Sequence, residues 1–493
     1  MNKNRIISVS LLSELVSSLF FRFHPLILAG FSALLFLPTM GHGFVHDDFL
    51  HLFSVAYHPT SRGLFGVNGG PFYAPLTWVS YKIDWLIWGY NPYAFAAVNL
   101  LFHIANTLLV YLLALRLWRS YVAARWAGWG FALLFPANVW AIMWIATRAH
   151  ILVTFFCLCS LLAALWFART ERHKAFAAIA TVLLASLAIF SKENGTTVPA
   201  AIAVVLLYDR LTSNRKNWST AAVVGLFAAL FAVVAAYLLL RANSGAVNIT
   251  TGCNGYGYCL SLKVILDNIF RYGWRTFGLL ALVAGAIAVS QYLRGARPRF
   301  ELLTRNEVLM SLMLFGIALA PIIMVRLRSG IYSYLPGVGA ALLLGAVARS
   351  LYGTSVKLPL RSELKAALPV VLVLIVYSVF TRGHSLKWIQ MAETNTAVIN
   401  QITAQQGEVK PKTLFVLTYS KIDNLNRFPD GMDWGFTYAL RVRYADPSLN
   451  GLIVRQGDSY SEPDRSSKIF FTYDIKSDGK PQVVKNDDGT LLR

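Results

Sequence analysis

Apolar residues run through this chain in long blocks, not in the alternation of a half-buried strand. Stretches such as Ala221–Leu240 and Phe277–Val289 carry no charge, and a helix needs roughly 20 apolar residues to cross a bilayer. Taken in order, the blocks predict about eleven spanning helices, near 25–43, 93–117, 122–143, 150–168, 175–191, 196–209, 218–241, 264–293, 306–325, 331–349 and 366–383. Ahead of them, Ser10, Ser13, Glu14, Ser17 and Ser18 recur at helical spacing against Leu12, Leu15, Val16, Leu19 and Phe23. That pattern predicts an amphipathic segment over 1–24 on the cytoplasmic surface, with an ordinary first span as the alternative. Lys3 and Arg5 open the chain as in a secretory signal, but Glu14 breaks the apolar run and no small-residue cleavage site follows. Beyond 383 the sequence becomes charge-rich, with a strand-like run at Lys412–Tyr419 and turn signals at Pro429-Asp430-Gly431 and Asp487-Asp488-Gly489. Residues 384–493 therefore read as a small soluble α/β domain appended to an all-α, polytopic membrane module over 25–383.

Composition agrees with that division. Of 493 residues, 56% are hydrophobic and 14% charged, against roughly a quarter charged in an average soluble chain. The net charge of +21 would fit a nucleic-acid partner if it were gathered in one groove. It lies instead in short connections, at Arg116, Arg119 and Arg125; Arg169, Arg172 and Lys174; Arg210, Arg215 and Lys216; Arg294, Arg297, Arg299 and Arg305; and Arg349, Lys357, Arg361 and Lys365. This is the positive-inside signal of a chain whose partner is membrane lipid, and it speaks against nucleic acid. It puts the N-terminus in the cytoplasm and places the loop 45–92, the Ser191–Gly195 turn, the loop 242–262, the Arg326–Gly330 turn and everything after 384 outside. A prokaryotic plasma membrane is the expected location. Cys253 and Cys259 share one outer loop and are expected to form a disulfide, while Cys157 and Cys159 lie inside an apolar helix.

Against that topology, the outer basic residues Arg62, Lys82, Arg148, Lys192, Arg326 and Arg328 need a reason other than orientation; snorkelling at the interface is the plain one. The first outer loop opens Gly41-His-Gly-Phe-Val-His-Asp-Asp-Phe-Leu-His51. Adjacent carboxylates at a membrane boundary repel one another and lose water, which raises the pKa of at least one. Such a group can take the proton from an acceptor hydroxyl as its oxygen attacks an anomeric carbon. The alternative is that Asp47 and Asp48 only cap a short helix starting near Phe49. His46, Asp47, Asp48 and His51 also have the residue types of a divalent-metal site, but one short segment supplies all four without Cys or further Glu, so no metal is expected. A leaving lipid phosphate needs cations and donors at the membrane surface. Lys192 beside Glu193 and ahead of Gly195, Arg148, and Arg326 with Arg328 ahead of Tyr332 and Tyr334 answer that need.

Five stretches in one order resemble a known family: Phe44-Val-His-Asp-Asp48; Tyr73-Ala-Pro-Leu76 through Trp88-Gly-Tyr-Asn-Pro92 and Asn99-Leu-Leu-Phe-His103; Trp144-Ile-Ala-Thr-Arg148; Phe190-Ser-Lys-Glu-Asn-Gly-Thr-Thr-Val-Pro199; and Tyr334-Leu-Pro-Gly-Val-Gly339. The chain is similar, over about 25–350, to the integral-membrane GT-C glycosyltransferases, most closely the transmembrane module of tetratricopeptide-repeat-containing protein O-mannosyltransferases and their prokaryotic relatives. The resemblance implies that the paired acids of the first outer loop are catalytic and that the Lys192-Glu193 turn lies near the donor phosphate. Departures stand at Ala74, Trp140, His150 and Gly330-Ile331, where the family often has Arg, Glu, Asp and a Glu-Arg pair, and the small tail replaces the repeat array.

Residues and resemblance together give the expectation of an inverting glycosyltransferase of the GT-C fold. It would take a sugar from a polyprenyl-phosphate donor to a protein, lipid or glycan acceptor on the extracytoplasmic side. Asp47 would be the base, with Asp48 beside it, and Lys192, Arg148, Arg326, Arg328 and Tyr332 would hold the phosphate. His46, His51, Tyr73, Lys82 and Glu193 would contact sugar or acceptor. The rivals are a transporter or flippase of lipid-linked sugars, whose expected inverted repeats and broken midplane helices are not found in the sequence, and a catalytically inactive scaffold of the same fold.

Overall fold

The computed structural model of the chain describes residues 23–66, 72–213, 219–246, 257–352, 360–419, 432, 435–456, 467–476 and 480–486. Each apolar block predicted from the sequence contains a helix. The first gives α1 (Phe23–Thr39). The segment after it folds into α2 (Asp48–Tyr57), α3 (Thr60–Phe65) and α4 (Pro75–Trp88). Then follow α5 (Pro92–Trp118), α6 (Tyr121–Ala132), α7 (Ala137–Met143), α8 (Arg148–Arg169), α9 (Lys174–Ser191), α10 (Val198–Thr212), α11 (Thr220–Asn243), α12 (Leu262–Leu293), α13 (Arg305–Leu319), α14 (Gly337–Leu351) and α15 (Leu360–Gln405).

Among the described residues six helices are long and apolar enough to span, or seven if α6 and α7, bent by 62°, form one broken span. The expected count of eleven is not matched, because α10, α13 and α14 are only 15 residues each. At 1.5 Å per residue such helices reach roughly 22 Å, short of a core about 30 Å thick. The α6–α7 break falls at Pro136, and the carbonyls it frees are satisfied: Asn138 Nδ2 donates to Phe131 O at 2.9 Å and Ala132 O at 2.8 Å, and the Tyr377 hydroxyl donates to Ala132 O. That is the condition on which irregular backbone survives inside a bilayer.

The bundle core is rich in alanine, so helices approach closely. A Cβ on Gly345 of α14 would lie 2.5 Å from Ala123 O of α6, and one on Gly339 would lie 2.5 Å from Ser311 O of α13. The periphery is apolar too. Of the 24 residues of α11 only Leu226, Leu230 and Tyr237 are buried, a surface that requires lipid around it. Two of the arginines expected to set topology also brace the bundle, Arg169 on Asp209 at 2.7 Å and Arg349 on Glu307 at 2.6 Å. The chain is an integral membrane protein with a small C-terminal sheet domain.

The boundary expected at 383/384 falls inside α15, which continues unbroken to Gln405. Its last turns are the helix of the C-terminal domain: Val398, Ile399 and Ile402 pack on β1 (Leu414–Tyr419), on α16 (Phe436–Arg443) and on the other strands, β2 (Asn450–Arg455), β3 (Lys468–Ile475) and β4 (Pro481–Asn486). The sheet order is β2-β1-β3-β4, with β1 parallel to both neighbours and β4 antiparallel to β3. An open edge at β4 would invite foreign strands. Gln401 and Gln405 of α15 occupy it instead, exchanging side-chain bonds with the backbone of Pro481, Val483 and Lys485 at 2.7–2.9 Å. The amphipathic segment expected over 1–24 lies outside the described residues up to 22.

Candidate active site

The loop between α1 and α2 is held by its second acid. Asp48, fully buried at the start of α2, accepts the N–H of Val45 at Oδ2 (3.0 Å) and that of Ala146 at Oδ1 (2.7 Å). It therefore fastens the loop to the short turn Ile145–Thr147 that precedes α8. Burial pushes the Asp48 carboxyl up to about 8, with the two backbone donors pulling the other way. Asp47 differs. It occupies the N-cap position of α2 but makes no capping bond, and its half-buried carboxyl pairs with no described residue. Burial raises its pKa as well. Capping, the plain reading of this pair, describes neither acid.

Three elements close around this loop. Gly43 has φ +127, and a Cβ there would meet Thr396 Oγ1 of α15 at 2.7 Å. From the same helix Asn395 Nδ2 donates to Phe44 O at 3.1 Å. Gly435, just before α16, lies where a Cβ would be 2.6 Å from His46 O. His46 itself holds a left-handed backbone, φ 47, with its ring 5.7 Å from Trp144 and 6.0 Å from Trp388. The C-terminal domain thus rests directly on the acid-bearing loop.

Lys192 ends α9 in extended backbone, and the turn after it is so tight that a Cβ on Gly195 would sit 2.4 Å from Ala188 O. Its ammonium is nearly buried, 4.5 Å from the Phe72 ring and 3.8 Å from Glu193, whose carboxylate also takes Arg241 at 2.9 Å. Burial lowers the Lys192 pKa. His51 of α2, with its ring 5.0 Å from that of Tyr81, is pushed down to about 4, first by burial and then by the positive charges of Arg148 and Lys192. It is a neutral imidazole near both cations. The His150 ring stands 5.5 Å from that of Tyr332.

Other sequence expectations need correction. Arg148 is fully buried and donates to Asn99 Oδ1 (2.7 Å), Ser80 Oγ (3.0 Å), Phe95 O (2.9 Å) and the Asp84 carboxylate, with Tyr81 stacked at 4.6 Å. Those internal partners engage its guanidinium, so it braces α4, α5 and α8 and offers no face to a ligand phosphate. Lys82 donates to Val55 O near the end of α2 and lies over the Trp85 ring at 4.2 Å. Tyr73 is buried, bonded through its hydroxyl to Leu64 O and through its carbonyl to the Tyr237 hydroxyl. Both are struts, not free sugar contacts. Arg326 and Arg328 line a separate cleft with Asp267. Cys259 is disulfide-bonded, Cys157 and Cys159 are free, and Cys253 lies outside the described residues. Among the described residues no three His, Cys, Asp or Glu gather as metal ligands. Sequence reasoning missed Asp84, Arg241 and Trp388. Asp84 had one signal, that it is the single acid in a mostly apolar helix whose only other charge is Lys82.

The fold defined by these elements is also found among solved membrane proteins. It is shared with ArnT from Cupriavidus metallidurans bound to undecaprenyl phosphate, at a TM-score of 0.52 and 14% identity over 95% of this chain and 98% of that one. By sequence the chain is similar in part to proteins named protein O-mannosyl-transferase: it is 30% identical to Tmtc1 of Drosophila melanogaster over 187 residues and 28% identical to TMTC1 of Mus musculus over 223. These matches cover 34% and 39% of this chain but 21% and 22% of the relatives, so the likeness spans about a fifth of their length. No family model matches the chain.

Proposed function

We propose that the chain transfers a sugar from a polyprenyl-phosphate carrier to an acceptor hydroxyl, on the extracytoplasmic face that bears Asp47. The observation that carries this reading is the asymmetry of the paired acids: Asp48 is committed to two backbone donors, while Asp47 beside it pairs with no described residue and is shifted toward proton affinity by burial. In the reaction the acceptor oxygen attacks the anomeric carbon as the bond from that carbon to the phosphate oxygen breaks. Asp47 takes the acceptor proton, and the electron pair of the broken bond leaves with the carrier phosphate. The configuration at the sugar inverts. Lys192 supplies the cation for the charge that develops on the phosphate, in a setting where burial makes each charge count for more. His51, kept neutral by burial, would bond a sugar or acceptor hydroxyl without competing for the proton. The reading calls on no metal. The positive-inside pattern supports the sidedness, and the relatives' names make mannose the first sugar to try.

The test is direct. The purified chain in lipid nanodiscs, given polyprenyl-phosphate-linked radiolabelled mannose and membrane extract as acceptor, should consume donor and release carrier phosphate. A folded protein that consumes no donor across a panel of polyprenyl-linked sugars would overturn the reading and leave a non-catalytic scaffold.

A further inference from the structure

The face of α15 that closes on the acid-bearing loop is the face that also carries the C-terminal sheet. Trp388, Ala392, Asn395, Ile399 and Ile402 are all buried, and their steps of four and three residues put them on one side of a helix. Trp388 and Ala392 share a core with Val45, Phe36 and Met40. Asn395, one turn on, donates to Phe44 O at 3.1 Å. Ile399 and Ile402 then join Phe415 and Phe471 of the sheet. Loop and sheet are therefore fixed to one continuous helix. A second hold comes from Gly435. Its φ of −89 and ψ of −19 are ordinary helical backbone, open to any residue, so its missing side chain answers to a neighbour. A Cβ there would stand 2.6 Å from His46 O and 2.8 Å from Phe49 Cδ2.

Those two residues stand on either side of the paired acids. Phe49 packs against the core of the C-terminal domain, and α16 continues along α2, with the Tyr438 ring 5.5 Å and the Arg441 guanidinium 5.3 Å from the Phe53 ring. Asp48 is anchored the other way, to Val45 and to the turn before α8. Asp47 thus sits where two modules meet, its own carboxyl pairing with no described residue, so the hold on the backbone around it decides where it points. We propose that the C-terminal domain is part of the active site, with Gly435 and Asn395 acting as positioning residues that aim the Asp47 carboxylate. This rests on the reading of Asp47 as the base. The demand on aim is severe, since a misplacement of about 1 Å in a reacting group can cost roughly 100-fold in rate.

Gly435→Ala tests this with one methyl pressed against His46 and Phe49, and Asn395→Leu tests it by removing the donor to Phe44 O. Gly407→Ala is the control, because a Cβ there meets nothing within 4 Å. Full-length protein in nanodiscs is followed by hydrogen exchange, by affinity for polyprenyl-phosphate-linked mannose and by its turnover. Both test variants should quicken exchange at 42–47 by roughly 5- to 150-fold, through overpacking in one and an unmet carbonyl in the other. Turnover should fall by roughly 100-fold, while donor affinity, exchange in β1 and β3, and every property of Gly407→Ala stay native. Native exchange at 42–47 in both variants overturns the proposal, as does quickened exchange with native turnover. A loss of donor affinity as large as the loss of turnover also overturns it, since that marks general disruption and not aim. The two readings fail separately. Native turnover that Gly435→Ala and Asn395→Leu leave untouched sinks this proposal alone, and a native chain without turnover, whose loop still loosens in both variants, sinks the transferase reading alone.

Discussion

Asp48→Asn isolates what the second acid does. In the native protein each carboxylate oxygen accepts one backbone N–H, from Val45 and from Ala146, in a site closed to water. An asparagine keeps the shape but can accept only one of them and turns its amide N–H groups toward the other. One buried donor then has no acceptor, at a cost of about 1–3 kcal/mol. Because the two bonds tie the loop to the turn before α8, the loss should appear as local opening, not as global unfolding. At 1.4 kcal/mol per tenfold, amide exchange in peptides spanning 42–48 and 144–148 should quicken by roughly 5- to 150-fold, while exchange in α14 stays unchanged. Asp48→Ala, which strips both acceptors, should open the same segments further, by about 2–6 kcal/mol. Unchanged exchange at 42–48 and 144–148 in both variants would refute the claim that this carboxylate fixes the acid-bearing loop.

Arg148→Lys should destabilise the fold by about 3–5 kcal/mol, because a lysine cannot meet Asn99, Ser80, Phe95 and Asp84 at once and leaves the buried Asp84 poorly paired; thermal unfolding in nanodiscs measures it, and a stable variant with impaired donor binding would return this residue to the phosphate. Lys192→Ala should weaken donor binding and turnover together, since the phosphate is present in both ground and transition states, which a comparison of donor affinity with turnover will show. Thiol labelling of denatured, unreduced protein should find Cys157 and Cys159 reactive and Cys259 blocked.

Much of the bundle is legible in sequence because lipid imposes a simple rule: each apolar block becomes a helix, and basic residues gather where the chain turns back. Length is where that rule fails. Hydropathy does not see that α10 starts only after the Glu193–Thr197 turn or that α6 breaks at Pro136. The acids at 47 and 48 stand out from their position alone, but their division of labour depends on an N–H donated 98 residues later in the chain. Arg148 shows the same limit more sharply. As a lone outer cation it looks free for a ligand, and only the fold brings Asp84 to it from 64 residues away. Trp388, set beside His46 by the unbroken run of α15, carries no sequence signal at all.

Turnover of a polyprenyl-phosphate sugar by the native protein and by Asp47→Asn, measured across pH with donor binding in parallel, tests the role of Asp47 most directly. A general base works deprotonated, and burial raises this carboxyl, so native activity should fall as pH drops through a midpoint above the ordinary carboxylate range of about 4. The asparagine variant should bind donor, fold normally and turn over roughly 100- to 10,000-fold more slowly, without that acidic limb. Near-native turnover in a folded Asp47→Asn, with the acidic limb intact, would contradict the account.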